Sequence, residues 1–230
     1  MAATLSTRTE RRNGWERLAG ASGITFAVIV AASNAAIPNP PAWDASGSEV
    51  SGWVHDHHLV LALTVAAFAI TAPALVVFVA GFVSRVFRGE GREARIPALI
   101  GAGGAVLICS LFSMVVVARL VLLASDGGAG ISVPLTELVW HFEAAAFTLN
   151  TVAIGIGAFG LGVAGAEAEL LPSWFRPLGV VALATSIVAA LPAAADVNGS
   201  NAWEIGGVAF VIWLALLLVA GTKMARDPRG

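Results

Sequence analysis

A chain of 230 residues that is 57% apolar, 12% charged and has a mean hydropathy of +0.83 does not read as a soluble domain, because such domains carry charge on about 25% of their residues. A net charge of −2 excludes a strongly basic, nucleic-acid-binding character. The single cysteine, Cys109, excludes an intramolecular disulfide and reads as a small packing residue.

Crossing a hydrocarbon core of roughly 30 Å as helix takes about 20 apolar residues. Six segments qualify, at about 18–37, 58–84, 97–124, 134–163, 177–196 and 203–222. The connections between them are short, so the expected fold is all-α, with residues 1–230 forming one six-helix membrane domain. Arg8, Arg11, Arg12 and Arg17 precede the first segment, which ends in a small-residue run, Ala31 to Ala36. That pattern resembles a signal peptide, but five more apolar segments follow, so it is read as an uncleaved first span. Pro38, Pro40 and Pro41 then break the chain, and Ser48 to Val54 opens either a short interfacial helix or a loop leading into span two.

The mouth of span two carries His55-Asp56-His57-His58. On a continuous helix His55 and His58 share a face, while His57 diverges by about 100° from His58. Span three contains Gly101, Gly103 and Gly104, and also one cation, Arg119. Ser132 and Pro134 mark the start of span four, where proline's missing N–H costs nothing. Along span four, Glu137 and His141 share one face, and Trp140, Glu143, Phe147 and Asn150 lie on another. The string Gly155-x-Gly157-x-x-Gly160 matches part of a dinucleotide fingerprint as text. It lies inside a span, not between a strand and a helix, so close packing of spans three and four is the expectation. Pro172 and Pro177 bracket the fourth connection, and Asp196, Asn198 and Glu204 fall at the tips of the last two spans.

Charge sets the orientation. Of the thirteen Lys and Arg residues, all but Arg119 fall in the two termini and in the second and fourth connections. Cytoplasmic loops carry this excess, so both termini are expected inside a bacterial cytoplasmic (inner) membrane. The four histidines fall on the opposite side. Trp43, Trp53, Trp140 and Trp203 there, and Trp15 and Trp174 at the inner side, are expected to form aromatic belts. The inner cations read as an orientation signal and nothing more.

Ionisable groups at membrane depth are costly and normally pair inside the bundle. Arg119 with Glu143 or Glu137 is the expected pair, with Asp196, Asn198 and Glu204 as the rim of an outward polar vestibule. The leading reading is binding or moving a small solute or ion through that vestibule. The alternative is a non-catalytic accessory or sensor subunit, with lipid and another membrane subunit or a second copy as partners. A third reading places a transition metal on His55, His58 and His141 with Asp56 or Glu137, since imidazole and carboxylate suit zinc, copper or nickel. There is no H-E-x-x-H signature, no cofactor is expected, and no catalytic set is legible, which favours a non-enzyme.

The run Trp140-His-Phe-Glu-Ala-Ala-Ala-Phe147, the later Leu171-Pro-Ser-Trp-Phe-Arg-Pro-Leu-Gly179 and the Glu49-Val-Ser lead into span two resemble a broad group. It comprises small six-helix bacterial inner-membrane proteins, common in actinobacteria, classed as domains of unknown function. The resemblance covers nearly the whole chain and implies the six-helix fold. It implies no activity and no catalytic residue.

Overall fold

The structure is a computed structural model that describes residues 2–89, 91–126, 130–195 and 202–227. Seven α-helices account for it: α1 (Ala2–Ala36), α2 (Gly47–Asp56), α3 (His58–Arg88), α4 (Arg95–Asp126), α5 (Val133–Glu167), α6 (Phe175–Ala195) and α7 (Ala202–Arg226). A single 3-10 turn, Arg92–Ala94, leads into α4, and no strand occurs among the described residues. Five segments are long and apolar enough to cross a membrane: Gly14–Ala36, His58–Arg88, Arg92–Ser125, Val133–Glu167 and Ile205–Arg226. The apolar part of α6, Phe175–Leu191, is shorter.

The outer faces of these helices are apolar. Leu59, Ile96, Leu138 and Leu191 are each more than 60% exposed, an arrangement that water would penalise and hydrocarbon accepts. The core is correspondingly rich in small side chains, with Ala19, Ala98, Ala158, Ala164, Ala182, Ala209 and Ala220 all essentially inaccessible. With lipid as apolar as leucine, such close backbone approach and van der Waals packing hold the helices together.

The helix α5 is central, packing on α4, α6 and α7. Around it α1, α3, α4, α5 and α7 close into a ring through the pairs α1–α3, α3–α4, α4–α5, α5–α7 and α7–α1, and α6 packs outside against α5 and α7. Close packing of α4 on α5 follows expectation at Gly101, Gly104 and Gly160, where an added Cβ would meet the backbone of the other helix. Gly155 serves a different neighbour, abutting Ser186 of α6, and Gly157 serves two, with its backbone against Gly104 and the Trp213 ring of α7 over it.

The short helix before span two exists, but as a separate element. Ser46 caps α2, accepting from the Glu49 N–H at 3.4 Å. The chain then breaks at His57 (φ −118°, ψ 18°) before α3 starts at His58. α2 packs over the ends of α4 and α5 and builds a second apolar cluster of Ala45, Val50, Val54, Leu61, Leu122 and Trp140.

The aromatic-belt expectation needs correction at that end for Trp140, while the side chain of Trp203 lies outside the described residues. Trp140 is 2% exposed and donates to the Ala42 carbonyl at 3.0 Å. Its ring centroid lies 5.0 Å from that of Trp43 and 6.0 Å from that of Trp53. Trp53 in turn donates to the Pro38 carbonyl at 3.3 Å. The three indoles therefore staple the 38–46 connection and α2 onto α5, because a buried indole N–H needs a partner and these connections offer bare carbonyls. At the other end Trp15 and Trp174 are 40% and 52% exposed, as a belt requires.

Candidate functional site

The misplaced cation finds its acid. Arg119 of α4 donates from Nε to Oε1 of Glu143 on α5 at 2.8 Å, with the Glu143 side chain fully buried and that of Arg119 17% exposed. Both lie roughly 10–15 Å along their helices from the histidine end, at 1.5 Å per residue. Of the two acids expected for this pair, Glu143 is the partner. Glu137, on the other face of α5, is half-buried. Oε2 of Glu143 is buried without a hydrogen-bond partner, and the pair is joined through Nε alone, leaving the terminal guanidinium nitrogens of Arg119 for the space beside it.

That space is a small pocket of about 30 Å³ bordered by Arg119, Ser33, Asn34, Thr64, Thr71 and several apolar side chains. It has room for about two waters. It adjoins a larger cavity of about 250 Å³, sharing Val30, Asn34, Phe68, Thr71, Phe112 and Phe147 as walls. The cavity is where the five-helix ring converges, and every helix of the ring contributes to its wall. Its lining is mainly apolar and aromatic, and none of its wall residues is charged. Two residues of that wall each hold a polar atom that is fully buried and unpartnered: Oδ1 of Asn150, a residue 5% exposed, and Nε1 of Trp213, a residue 1% exposed. The other polar side chains there are already committed to backbone carbonyls: Asn34 to Val30, Thr71 to Phe68 and Thr151 to Phe147.

Pro73 lies within α3 on its exposed side, where its ring nitrogen cannot donate to the carbonyl four residues earlier. Cys109 lies on the cavity wall, half-buried. The face of α5 shared by Trp140, Glu143, Phe147 and Asn150 turns inward, with Trp140, Glu143 and Asn150 buried, whereas the sequence did not single out Trp213.

The histidine string is split by the break at His57. His55 and His58 therefore sit on different helices, and the i, i+3 geometry of one continuous helix does not apply. His55, Asp56 and His58 are exposed and His141 is half-buried. His57, between them, is held by its Nδ1 contact with the Trp53 carbonyl at 2.8 Å and by the Trp53 ring at 5.4 Å. Among the described residues no three His, Cys, Asp or Glu side chains gather as a metal site would require. Asp196 and Asn198 lie outside the described residues, as does the side chain of Glu204.

At the opposite end a second ion cluster went unforeseen. Glu16 of α1, 2% exposed, pairs with Arg85 at 3.4 Å and with Arg88 of α3. Arg85 also donates to the Asp227 carbonyl at 2.7 Å, Arg176 pairs with Glu167, and Lys223 donates to the Glu169 carbonyl. These cations therefore do more than signal orientation, because they lock the helix ends together. The signal lay in Glu16 itself, an acid among the N-terminal cations and in helical register with the small residues Ala19, Gly20 and Gly23. Glu16→Ala is expected to lower stability by about 2 kcal/mol, because largely buried Arg85 loses its counter-ion and keeps only the Asp227 carbonyl, while partly exposed Arg88 is screened. Unfolding in detergent measures this, and Arg88→Ala should cost less than half as much.

Comparison with protein-family models, with curated proteins and with solved structures finds no match.

Proposed function

We propose that the chain is a six-span protein of a bacterial cytoplasmic membrane, with both termini inside, whose helix ring binds a small solute in its central cavity. The 21 residues of α6 reach about 31 Å at 1.5 Å per residue, enough to cross with the other five. The distribution of Lys and Arg supports the orientation. It brings Arg119, the three-tryptophan staple and the histidines to the outer side.

The observation that carries the function is the cavity itself. A natural bundle packs to the density of an organic crystal, and about 250 Å³ left open at its centre, walled by five helices, is a ligand-sized exception. Apolar walls with a few placed polar atoms are how small-molecule sites are built. Arg119 of the Arg119–Glu143 pair borders the small pocket that adjoins this cavity. An accessory or sensor subunit would leave the ring sealed, and the open cavity favours solute binding over that reading.

Trp213 makes the binding measurable. 4-Bromotoluene, whose eight heavy atoms fit the space, should quench a saturable part of the tryptophan emission through its bromine. That part should vanish in Trp213→Phe. Quenching that rises linearly without saturation, identical in wild type and variant, would mean partition into the bilayer alone.

A further inference from the structure

We infer that the solute is an uncharged, mainly apolar molecule carrying a hydrogen-bond acceptor, as a ketone or an ester does, with its oxygen held by the terminal guanidinium nitrogens of Arg119. The inference rests on the solute-binding reading and adds the chemical class.

The donor comes first. A guanidinium carries five N–H donors, and among the described residues only the Nε of Arg119 has a hydrogen-bond partner. Its two terminal nitrogens are open. The side chain keeps 17% of its surface, and neither atom is among the fully buried ones that lack a partner. Arg119 is also the one charged residue bordering the small pocket. There Thr64 and Thr71 have already given their hydroxyl protons to the Leu61 and Phe68 carbonyls. The pocket therefore offers N–H donors in need of an acceptor, in a space for about two waters. A carbonyl group fits that space, and a hydrogen bond from a charged donor is a strong one.

Charge comes second. Arg119 and Glu143 neutralise one another, and no other charged residue borders the pocket or the cavity. A carboxylate at Arg119 would place a second negative charge beside Glu143 at membrane depth, with no second cation to balance it. A neutral oxygen keeps the balance.

The apolar body comes third. Six of the eleven residues that border the pocket also border the cavity. A molecule whose oxygen meets Arg119 thus extends into the space walled by Phe68, Phe112, Phe147 and Phe210, which suits a ring or a short chain. An apolar cavity of about 150 Å³ holds benzene, so 250 Å³ scales to about ten heavy atoms.

Competition against 4-bromotoluene tests this, because a competitor that enters the cavity relieves the saturable quenching of Trp213. Cyclohexyl methyl ketone and ethylcyclohexane share the ring and the two-carbon arm and differ by one oxygen. At equal concentration in the bilayer, the ketone should displace half of the 4-bromotoluene at about tenfold lower concentration, the worth of one charge-assisted hydrogen bond. Cyclohexanecarboxylate, ionised at pH 8, should compete less well than the ketone. Arg119→Met with Glu143→Leu removes the donor and keeps the cavity, and in that double variant the ketone should lose its advantage. Ser33→Val fills the pocket beside an intact ion pair, and it serves the same purpose should the double variant fail to fold. Equal competition by ketone and hydrocarbon in the wild type would overturn the chemical class and leave the site standing. So would a ketone advantage that survives the loss of Arg119 or the filled pocket, or a carboxylate that competes better than the ketone. Absence of saturable quenching by 4-bromotoluene itself would sink the solute-binding reading along with it.

Discussion

Arg119→Met and Glu143→Leu should each lower the stability of the folded bundle by about 3–5 kcal/mol, whereas the double substitution should fall within about 1 kcal/mol of wild type. Each single change strands a charge at membrane depth with no partner, Glu143 fully buried or Arg119 nearly so. The double change replaces both ions by apolar side chains of similar volume, and a buried pair is often neutral against such a replacement. The unpartnered Oε2 of Glu143 strengthens this expectation, since the pair is imperfectly satisfied even when intact. Unfolding in mixed sodium dodecyl sulfate and dodecyl maltoside micelles supplies the three free energies. If the single losses simply add in the double variant, the two side chains do not act as a pair.

The second large effect belongs to the α4–α5 seam. A Cβ at Gly160 would lie 2.5 Å from the Gly101 Cα and 2.7 Å from the Pro97 carbonyl oxygen, and one at Gly104 would lie 2.7 Å from the Gly157 Cα. Those neighbours are backbone and cannot rotate away, so valine at either position must push the helices apart. A cost of about 3 kcal/mol or more is expected for each, at the upper end for overpacking. Gly103 is the internal control. No atom lies within 4 Å of its added Cβ, so Gly103→Ala should be neutral or gain up to about 1 kcal/mol from helix propensity. Equal losses at positions 103, 104 and 160 would mean that the seam is not built as described.

Gly103 and Gly104 show where reading the chain alone runs out. Both belong to one glycine cluster, and only their place on the helix, settled by the partner's backbone, separates a contact from open space. The helices themselves were legible because apolar runs of span length, punctuated by proline and glycine, leave few alternatives; each expected segment lies within or nearly coincides with a helix. The Arg119–Glu143 pair was legible for a related reason, since a lone cation in an apolar run needs an acid at similar depth. Trp140 was misplaced because an aromatic near a span end suits the interface equally well as a lipid-facing anchor or as a staple. The choice was made by the free Ala42 carbonyl. The His55–His58 string could not be placed without the break at His57, for which no proline or glycine in the string gave notice. The cavity was invisible in principle. It is defined by what five helices fail to fill, and no residue of its wall is unusual alone.

The most direct measurement is anomalous scattering from crystals grown with 4-bromotoluene, which locates the bromine without assumption. The expected result is one strong bromine peak inside the five-helix ring, in van der Waals contact with Trp213, Ile108 or Phe112. Bromine found only along the lipid-facing helix surfaces, with Phe68 and Phe112 closed across an empty centre, would contradict the existence of a solute site in this bundle.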